Sequence, residues 1–116
     1  MFLHLNHKNL AAYKYARQLV VLCYTITNLL PPEEKFGMTS QIKRAALSVK
    51  LNIAEGASRK SVAERNRFYE IARGSAIELD AAFESACDLN YLKPEQLSDL
   101  SICLNKIFAT LTGLIQ

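Results

Sequence analysis

The chain has 116 residues and a mass of 13.0 kDa; half of its residues are hydrophobic, 22% are charged and the net charge is +3. These values predict one folded domain over residues 1–116 and exclude a disordered chain. The longest apolar run has six residues, Leu19 to Tyr24, whereas a membrane span needs roughly 20. No signal-peptide pattern begins the sequence, so we expect a cytoplasmic protein without a membrane partner.

The first predicted helix spans about residues 9–30 and ends where Pro31 and Pro32 remove backbone donors. Five of its residues fall at spacings of three and four, which is typical of one helix face: Tyr13, Ala16, Val20, Cys23 and Thr27. Residues 1–8 precede this pattern and are expected to form a frayed tail. His4 and His7 lie in that tail, and we prefer fraying to a metal site built on them.

The second predicted helix begins with Thr39 or Ser40 as its cap and runs to Glu55. Gly56 is expected to close it in a left-handed conformation. The predicted core stripe of this helix is Ile42, Ala45, Ala46, Val49 and Ile53.

The third predicted helix opens with the capping box of Ser61 and Glu64 and continues to Asn90. Its seam is Phe68, Ala72, Ser75, Leu79, Ala82, Ala86 and Leu89. The fourth helix is expected to start at Pro94, with the seam Leu97, Leu100, Leu104, Ile107, Leu111 and Leu114. Short connections make successive helices antiparallel, which predicts an all-α, up-down-up-down four-helix bundle. A long coiled-coil hairpin is disfavoured, because the prolines and Gly56 interrupt the pattern.

Helix two carries two further faces besides its core stripe. A polar seam lies along one of them at helical spacing: Gln41, Arg44, Ser48, Asn52 and Glu55. If this seam is buried its members must be partnered, and Glu78 on helix three is a candidate partner. The alternatives are a ligand site and plain solvent exposure.

The other face, the second apolar face, holds Leu47, Leu51 and Ala54 beside Lys43 and Lys50. A helix that is apolar on two sides is typically covered on both, here by its own bundle and by another subunit. Single exposed leucines are the alternative interpretation. Gly74 and Ser75 on helix three are small enough to let another helix approach closely.

No catalytic, cofactor or metal site is indicated. Cys23, Cys87 and Cys103 lack CxxC spacing and are expected to be reduced packing thiols. The inner helices have no Glu-x-x-His pair, and no Gly-rich phosphate loop or nucleophile elbow occurs. Glu55 and Glu78 sharing a proton would lack a nucleophile, so we predict that the protein is not an enzyme.

Positive charge is concentrated in the middle of the chain. Residues 43–73 contain eight Lys or Arg against three Glu, whereas residues 74–116 contain two Lys against six acids. We predict nucleic-acid binding by phosphate contacts from six of these cations: Lys43, Lys50, Arg59, Lys60, Arg65 and Arg67. A solvated face with local pairs such as Glu70 with Arg73 is the alternative.

Three runs carry a family resemblance: Phe36 to Ala46 (FGMTSQIKRAA), Asn52 to Gly56 (NIAEG) and Ile71 to Ser75 (IARGS), followed by Glu78 and Leu79. They resemble the bacterial four-helix-bundle family named for intervening sequences of large-subunit ribosomal RNA. The family usually has Trp at the position of Tyr13 and often Gly at the position of Asn90.

The resemblance implies a homo-oligomer, often a pentamer. It also implies a similarity to the accessory variability proteins of diversity-generating retroelements, which are basic partners of a reverse transcriptase. From residues and resemblance together, the expected function is a non-enzymatic oligomer that binds RNA or DNA. The alternative is a protein-interaction scaffold, which would use the second apolar face of helix two and the small residues of helix three.

Overall fold

The computed structural model describes residues 2–116, which form four α-helices and, within that range, no strand. The helices are α1 (Ala11–Ile26), α2 (Met38–Ala57), α3 (Val62–Asp88) and α4 (Ser98–Leu114). Short 3-10 turns lie at Asn6–Asn9, Thr27–Leu29, Pro32–Glu34 and Pro94–Leu97. The all-helical prediction is therefore confirmed. None of the helices within residues 2–116 is long and apolar enough to cross a membrane.

Paired contacts show how neighbouring helices are oriented. On α2 and α3, Gly56 lies against Tyr69 while Ser48 bonds to Ser75, so the residue number rises on one helix as it falls on the other. The pairs Asn66 with Gln116 and Arg73 with Phe108 give the same relation for α3 and α4. Helices α1 and α2 run in opposite directions as well, because Lys43 lies over Tyr24 and Lys50 lies over Tyr13. Each consecutive pair of helices is therefore antiparallel.

The four helices share one apolar core. On α2 the predicted stripe is confirmed at all five positions. On α3 the seam is wider than predicted, because Tyr69, Ala76 and Phe83 are buried as well, whereas Leu89 is exposed. A straight α-helix drifts relative to a strict three-four repeat, and α3 packs against α2 on one side and α4 on the other.

The predicted ends of the second helix were wrong at both termini. It begins at Met38, because the Glu34 carboxylate accepts a hydrogen bond from the Met38 N–H and replaces the expected Thr39 or Ser40 cap. It continues to Ala57, and Gly56 lies inside it, buried and without positive φ. A Cβ on Gly56 would lie 2.8 Å from the Tyr69 ring. The glycine therefore permits a close helix contact and does not form a turn.

The termini of α3 follow local chemistry. The Ser61 Oγ accepts from the Glu64 N–H at 3.1 Å, which is one half of the predicted capping box; within residues 2–116 the Glu64 side chain forms no return bond to the Ser61 N–H. After Asp88 the chain leaves the helix through Asn90, whose φ of 62° is left-handed. Asparagine tolerates this left-handed conformation better than most residues, because its short polar side chain can form hydrogen bonds to nearby backbone.

The remaining expected boundaries differ by a few residues. The first helix is shorter than predicted, since it becomes a 3-10 turn at Thr27. Pro94 opens a 3-10 turn that leads into α4. Within the expected N-terminal tail, Asn6–Asn9 form one turn and the His7 ring lies edge-on to Tyr13 at 4.6 Å; Met1 lies outside the described residues.

Candidate nucleic-acid interface

Four of the six predicted phosphate-binding cations lie at or near the turn between α2 and α3. Arg59 and Lys60 are in the turn itself, and Arg65 and Arg67 are in the first two turns of α3. We call these four residues the turn cluster. The short connection and the antiparallel return of α3 bring them to one end of the bundle.

Phe68 organises two of the guanidinium groups in the turn cluster. The Arg59 guanidinium carbon lies 4.9 Å from the centroid of the Phe68 ring, and that of Arg67 lies 5.9 Å from it. Arg59 also pairs with Glu55 at 2.9 Å, but both side chains are exposed, so solvent weakens this pair. Stacking on an aromatic ring leaves the edges of a guanidinium free to donate hydrogen bonds.

Arg65 has a different role from the rest of the turn cluster. Its Nη1 donates to the backbone carbonyls of Arg59 at 3.2 Å and Lys60 at 2.8 Å. These carbonyls follow the end of α2, where backbone acceptors have no helical partner. Arg65 therefore fixes the conformation of the turn through Nη1, which is engaged within the chain.

Lys43 and Lys50 form a second group, away from the turn cluster. They lie on the side of α2 that faces α1, about 10 Å apart along the helix axis. The Lys43 ammonium lies 4.9 Å from the Tyr24 ring centroid, and the Lys50 ammonium lies 5.9 Å from the Tyr13 ring centroid. Both lysines are half-buried, and their charges sit above aromatic rings of α1.

Only the middle of the polar seam is covered by the chain itself. Ser48 and Asn52 are half-buried: the Ser48 and Ser75 hydroxyls lie 2.8 Å apart, and the Asn52 amide donates to the Ser48 carbonyl at 2.8 Å. The outer members are exposed, with Arg44 bonded to Gln41 and Glu55 paired with Arg59. Within residues 2–116, Glu78 is exposed and forms no ion pair.

The second apolar face of α2 lies beside Lys43 and Lys50. Leu51 is 57% exposed and Leu47 is 37% exposed, while Ala54 is half-buried. Gly74, expected to admit a close helix, has no atom of the described chain within 4 Å of a Cβ built there. Helices α2 and α3 approach closely at Gly56, and also at buried Ser75, whose hydroxyl lies 2.8 Å from that of Ser48.

A third group of cations was missed by the sequence reasoning. Lys14 and Arg17 on α1 and Lys106 on α4 line a groove of about 750 Å³ between these helices. Arg17 and Lys106 are 89 positions apart along the chain, so counting charge by chain segment does not show that they are neighbours. The exposed positions of α1, at spacings of three and four, are the signal that would have placed Lys14 and Arg17 together.

The fold and this surface define a small all-helical bundle with a basic end. Residues 8–113 match the family of 23S rRNA-intervening sequence proteins, and the chain belongs to that family. No curated protein matches the chain. The family description names no biochemical activity.

Proposed function

We propose that this protein is a non-enzymatic, cytoplasmic homo-oligomer that binds RNA or DNA by phosphate contacts. The observation that carries the proposal is the turn cluster, in which Arg59, Lys60 and Arg67 are exposed together. Phe68 restrains two of them, so less side-chain entropy is lost when they bind a phosphate. Three free thiols without disulfides are in keeping with a reducing cytoplasm.

Lys43 and Lys50 extend the proposed surface along α2. Each ammonium is a point charge held near a tyrosine ring, so the pair suits backbone contacts without base reading. Nucleic acid that reaches from the turn cluster toward these lysines would follow the α2 helix. Binding of this kind is tolerant of sequence and falls steeply with salt.

Assembly is the second part of the proposal. Leu47 and Leu51 are apolar, exposed and flanked by charged side chains, which is typical of a surface that another subunit covers. We place a further copy of this chain on the second apolar face, with a pentamer as the expected assembly. Repetition of the turn cluster around an oligomer would raise affinity through multivalency.

Nucleic-acid binding is tested by fluorescence anisotropy with labelled single-stranded RNA, duplex RNA and duplex DNA over a salt series. The variant R59E/K60E should lower affinity at least about tenfold and flatten the salt dependence, because fewer counterions are released. The control variant K35E/K93E makes the same change in net charge at exposed positions in the α1–α2 and α3–α4 connections, outside the three cation groups. Equal losses in both variants, or no binding by the unmodified protein at low salt, would contradict the proposal.

Assembly is tested by light scattering. The expected mass is about five times 13.0 kDa, and L47E/L51E should reduce it to that of one chain while circular dichroism stays helical. The control V21E/I102E replaces exposed apolar side chains on α1 and α4, and should keep the assembled mass. A monomeric unmodified protein would overturn this part of the proposal.

A protein-interaction scaffold without direct nucleic-acid binding is the second candidate. The exposure of Leu51 supports the scaffold function too, since a partner protein would cover this side chain just as a sister copy would. Such binding is largely apolar and survives high salt, whereas phosphate contacts do not. Nucleic-acid binding that is absent at low salt, together with a partner lost in L47E/L51E, would favour the scaffold.

A further inference from the structure

A second surface, remote from the turn cluster, lies between α3 and α4. The two helices leave a groove of about 670 Å³, which we call the α3–α4 groove. Its floor is apolar, since buried Phe83 and Leu100 lie beneath it. Ile77 is 55% exposed and Phe108 is 37% exposed at its edges. Side chains of this size are normally covered when they lie along one continuous depression.

The groove has the dimensions of a helix-binding site. Its α4 side runs from the 3-10 turn at Pro94 to Phe108, and its α3 side from Ala76 to Cys87. At 1.5 Å per residue, the α3 side alone is about 16 Å long, or three helical turns. An amphipathic helix that places apolar residues at spacings of three and four would fill such a groove.

The charge of the groove is negative. Its lining includes the carboxylates of Asp80 and Glu84 and no Lys or Arg. These two residues are four apart on α3 and both are exposed, so they project from one face of that helix. Arg73 stands beyond the groove lining, where its guanidinium carbon lies 4.7 Å from the centroid of the Phe108 ring.

This charge excludes phosphate backbones and favours cations. It also distinguishes the groove from the one between α1 and α4, which is lined by Lys14, Arg17 and Lys106 with one carboxylate, Asp99. The two grooves flank α4 on opposite sides and carry opposite charge. A ligand that pairs with one is therefore repelled by the other.

We propose that the α3–α4 groove binds an amphipathic helix of a partner protein whose polar edge carries Lys or Arg. Ile77, Leu104 and Phe108 contact the apolar stripe of that helix, and Asp80 and Glu84 pair with its cations. The site uses no residue of the turn cluster and none of the second apolar face of α2. It therefore goes beyond the proposed function, and each stands or falls without the other.

The probes are two synthetic helical peptides of about 18 residues, each with Leu at spacings of three and four. One carries Lys and Arg beside the leucines, and the other carries Glu at the same positions. Calorimetry at low salt should show the basic peptide binding at least about tenfold more tightly than the acidic one. Equal affinities, or no binding of the basic peptide at millimolar concentration, would overturn the proposal.

The variant D80K/E84K should weaken the basic peptide at least about tenfold and strengthen the acidic one, because the edge of the groove reverses its charge. The control E70K/D88K makes the same change in net charge on α3, at exposed positions outside the groove lining. It should alter affinity less than about threefold. The same loss in both variants would mean that net charge alone attracts the peptide, against the proposed site.

Cys87 lines the groove and reports where the peptide binds. The bound basic peptide should slow modification of Cys87 by a thiol reagent, and unchanged modification would place the peptide elsewhere and overturn the proposal. Light scattering tests whether a sister copy of this chain occupies the groove instead of a partner protein. A fall in assembled mass in D80K/E84K but not in E70K/D88K would show that this chain fills its own groove, against a separate partner.

Discussion

The hydroxyl of Tyr91 donates a hydrogen bond to Oε2 of Glu34 at 3.0 Å, across 57 residues of sequence. The other carboxylate oxygen of Glu34 accepts from the N–H of Met38, the first residue of α2. One side chain therefore caps α2 and ties the α1–α2 connection to the α3–α4 connection. At the opposite end, the Asn66 side chain on α3 donates to the Gln116 carbonyl and accepts from the Gln116 N–H, which ties the residues after α4 to α3.

Replacing Tyr91 with Phe should lower the free energy of unfolding at neutral pH, and the loss should disappear in alkali. Glu34 accepts from the Tyr91 hydroxyl, which raises the pKa of Tyr91 above its ordinary value of 10. A raised pKa in the folded state means that this stabilisation is complete below pH 10 and is lost as pH rises through the folded pKa. Urea unfolding of wild type and Y91F at a series of pH values measures the difference.

Glu34→Ala serves as the control, because it also removes the cap of α2. It should cost about 1 kcal/mol at neutral pH and keep most of that cost in alkali, where the cap does not depend on Tyr91. A Y91F effect that is the same at every pH would contradict the role assigned to the hydroxyl.

Replacing each of two helical glycines with alanine should change the free energy of unfolding in opposite directions. A Cβ on Gly56 meets the Tyr69 ring at 2.8 Å and the Phe68 Cβ at 3.1 Å, so Gly56→Ala should destabilise by about 1–3 kcal/mol through overpacking. A Cβ on Gly74 meets nothing within 4 Å, so Gly74→Ala should stabilise by about 0.5–1 kcal/mol through helix propensity. Urea denaturation compares them, and shifts of the same sign would argue against the close approach at Gly56.

Alanine substitutions at Arg65 and Lys60 should have different effects: the first should mainly lower stability, and the second should mainly weaken RNA binding. Arg65→Ala removes the donor to two backbone carbonyls and should lower the free energy of unfolding by about 1 kcal/mol. Lys60→Ala should change it by less than about 0.5 kcal/mol, because Lys60 is exposed. In the RNA titration the larger effect should come from the other variant: Lys60→Ala should weaken RNA binding more than Arg65→Ala does. A larger binding loss in R65A, with stability unchanged, would show that Arg65 contacts phosphate.

The sequence was sufficient for the number of helices and for the core of α2, because the α2 residues that face the shared core recur at helical spacing. It misplaced Gly56, since a glycine near a helix end predicts a turn unless the partner helix is known. The cap of α2 was missed for a related reason. Glu34 lies in the preceding 3-10 turn, and no local rule connects its carboxylate to Met38 or to Tyr91.

For the candidate site, the sequence predicts the grouping of cations that are close along the chain but not of those that are far apart. Arg59, Lys60 and Arg67 come together because the α2–α3 turn is short, which the sequence indicates. The engagement of Arg65 with backbone carbonyls depends on how the turn closes. The joining of Lys14 and Arg17 with Lys106 depends on α1 lying beside α4, a pairing that charge counting along the chain does not contain.

Thiol reactivity provides a direct test of the core. Burial, reinforced by the nearby Cys103, raises the pKa of Cys23 to about 12. Burial also raises the pKa of Cys103, whose Sγ donates to the carbonyl of Tyr15 at 3.3 Å. The thiolate is the reactive form, so both thiols should resist a chromogenic disulfide reagent at mildly alkaline pH, while half-buried Cys87 reacts first.

We expect one thiol equivalent to react fast and two to react slowly. The two slow thiols should react at the rate at which the protein unfolds. Cys87→Ser should remove the fast phase and leave the slow phase unchanged. Cys103→Ser should remove one slow equivalent and keep the fast one. If a fast equivalent remained in the Cys87→Ser protein, then Cys23 or Cys103 would be accessible in the folded state, and the packing of α1 against α4 would differ from that described.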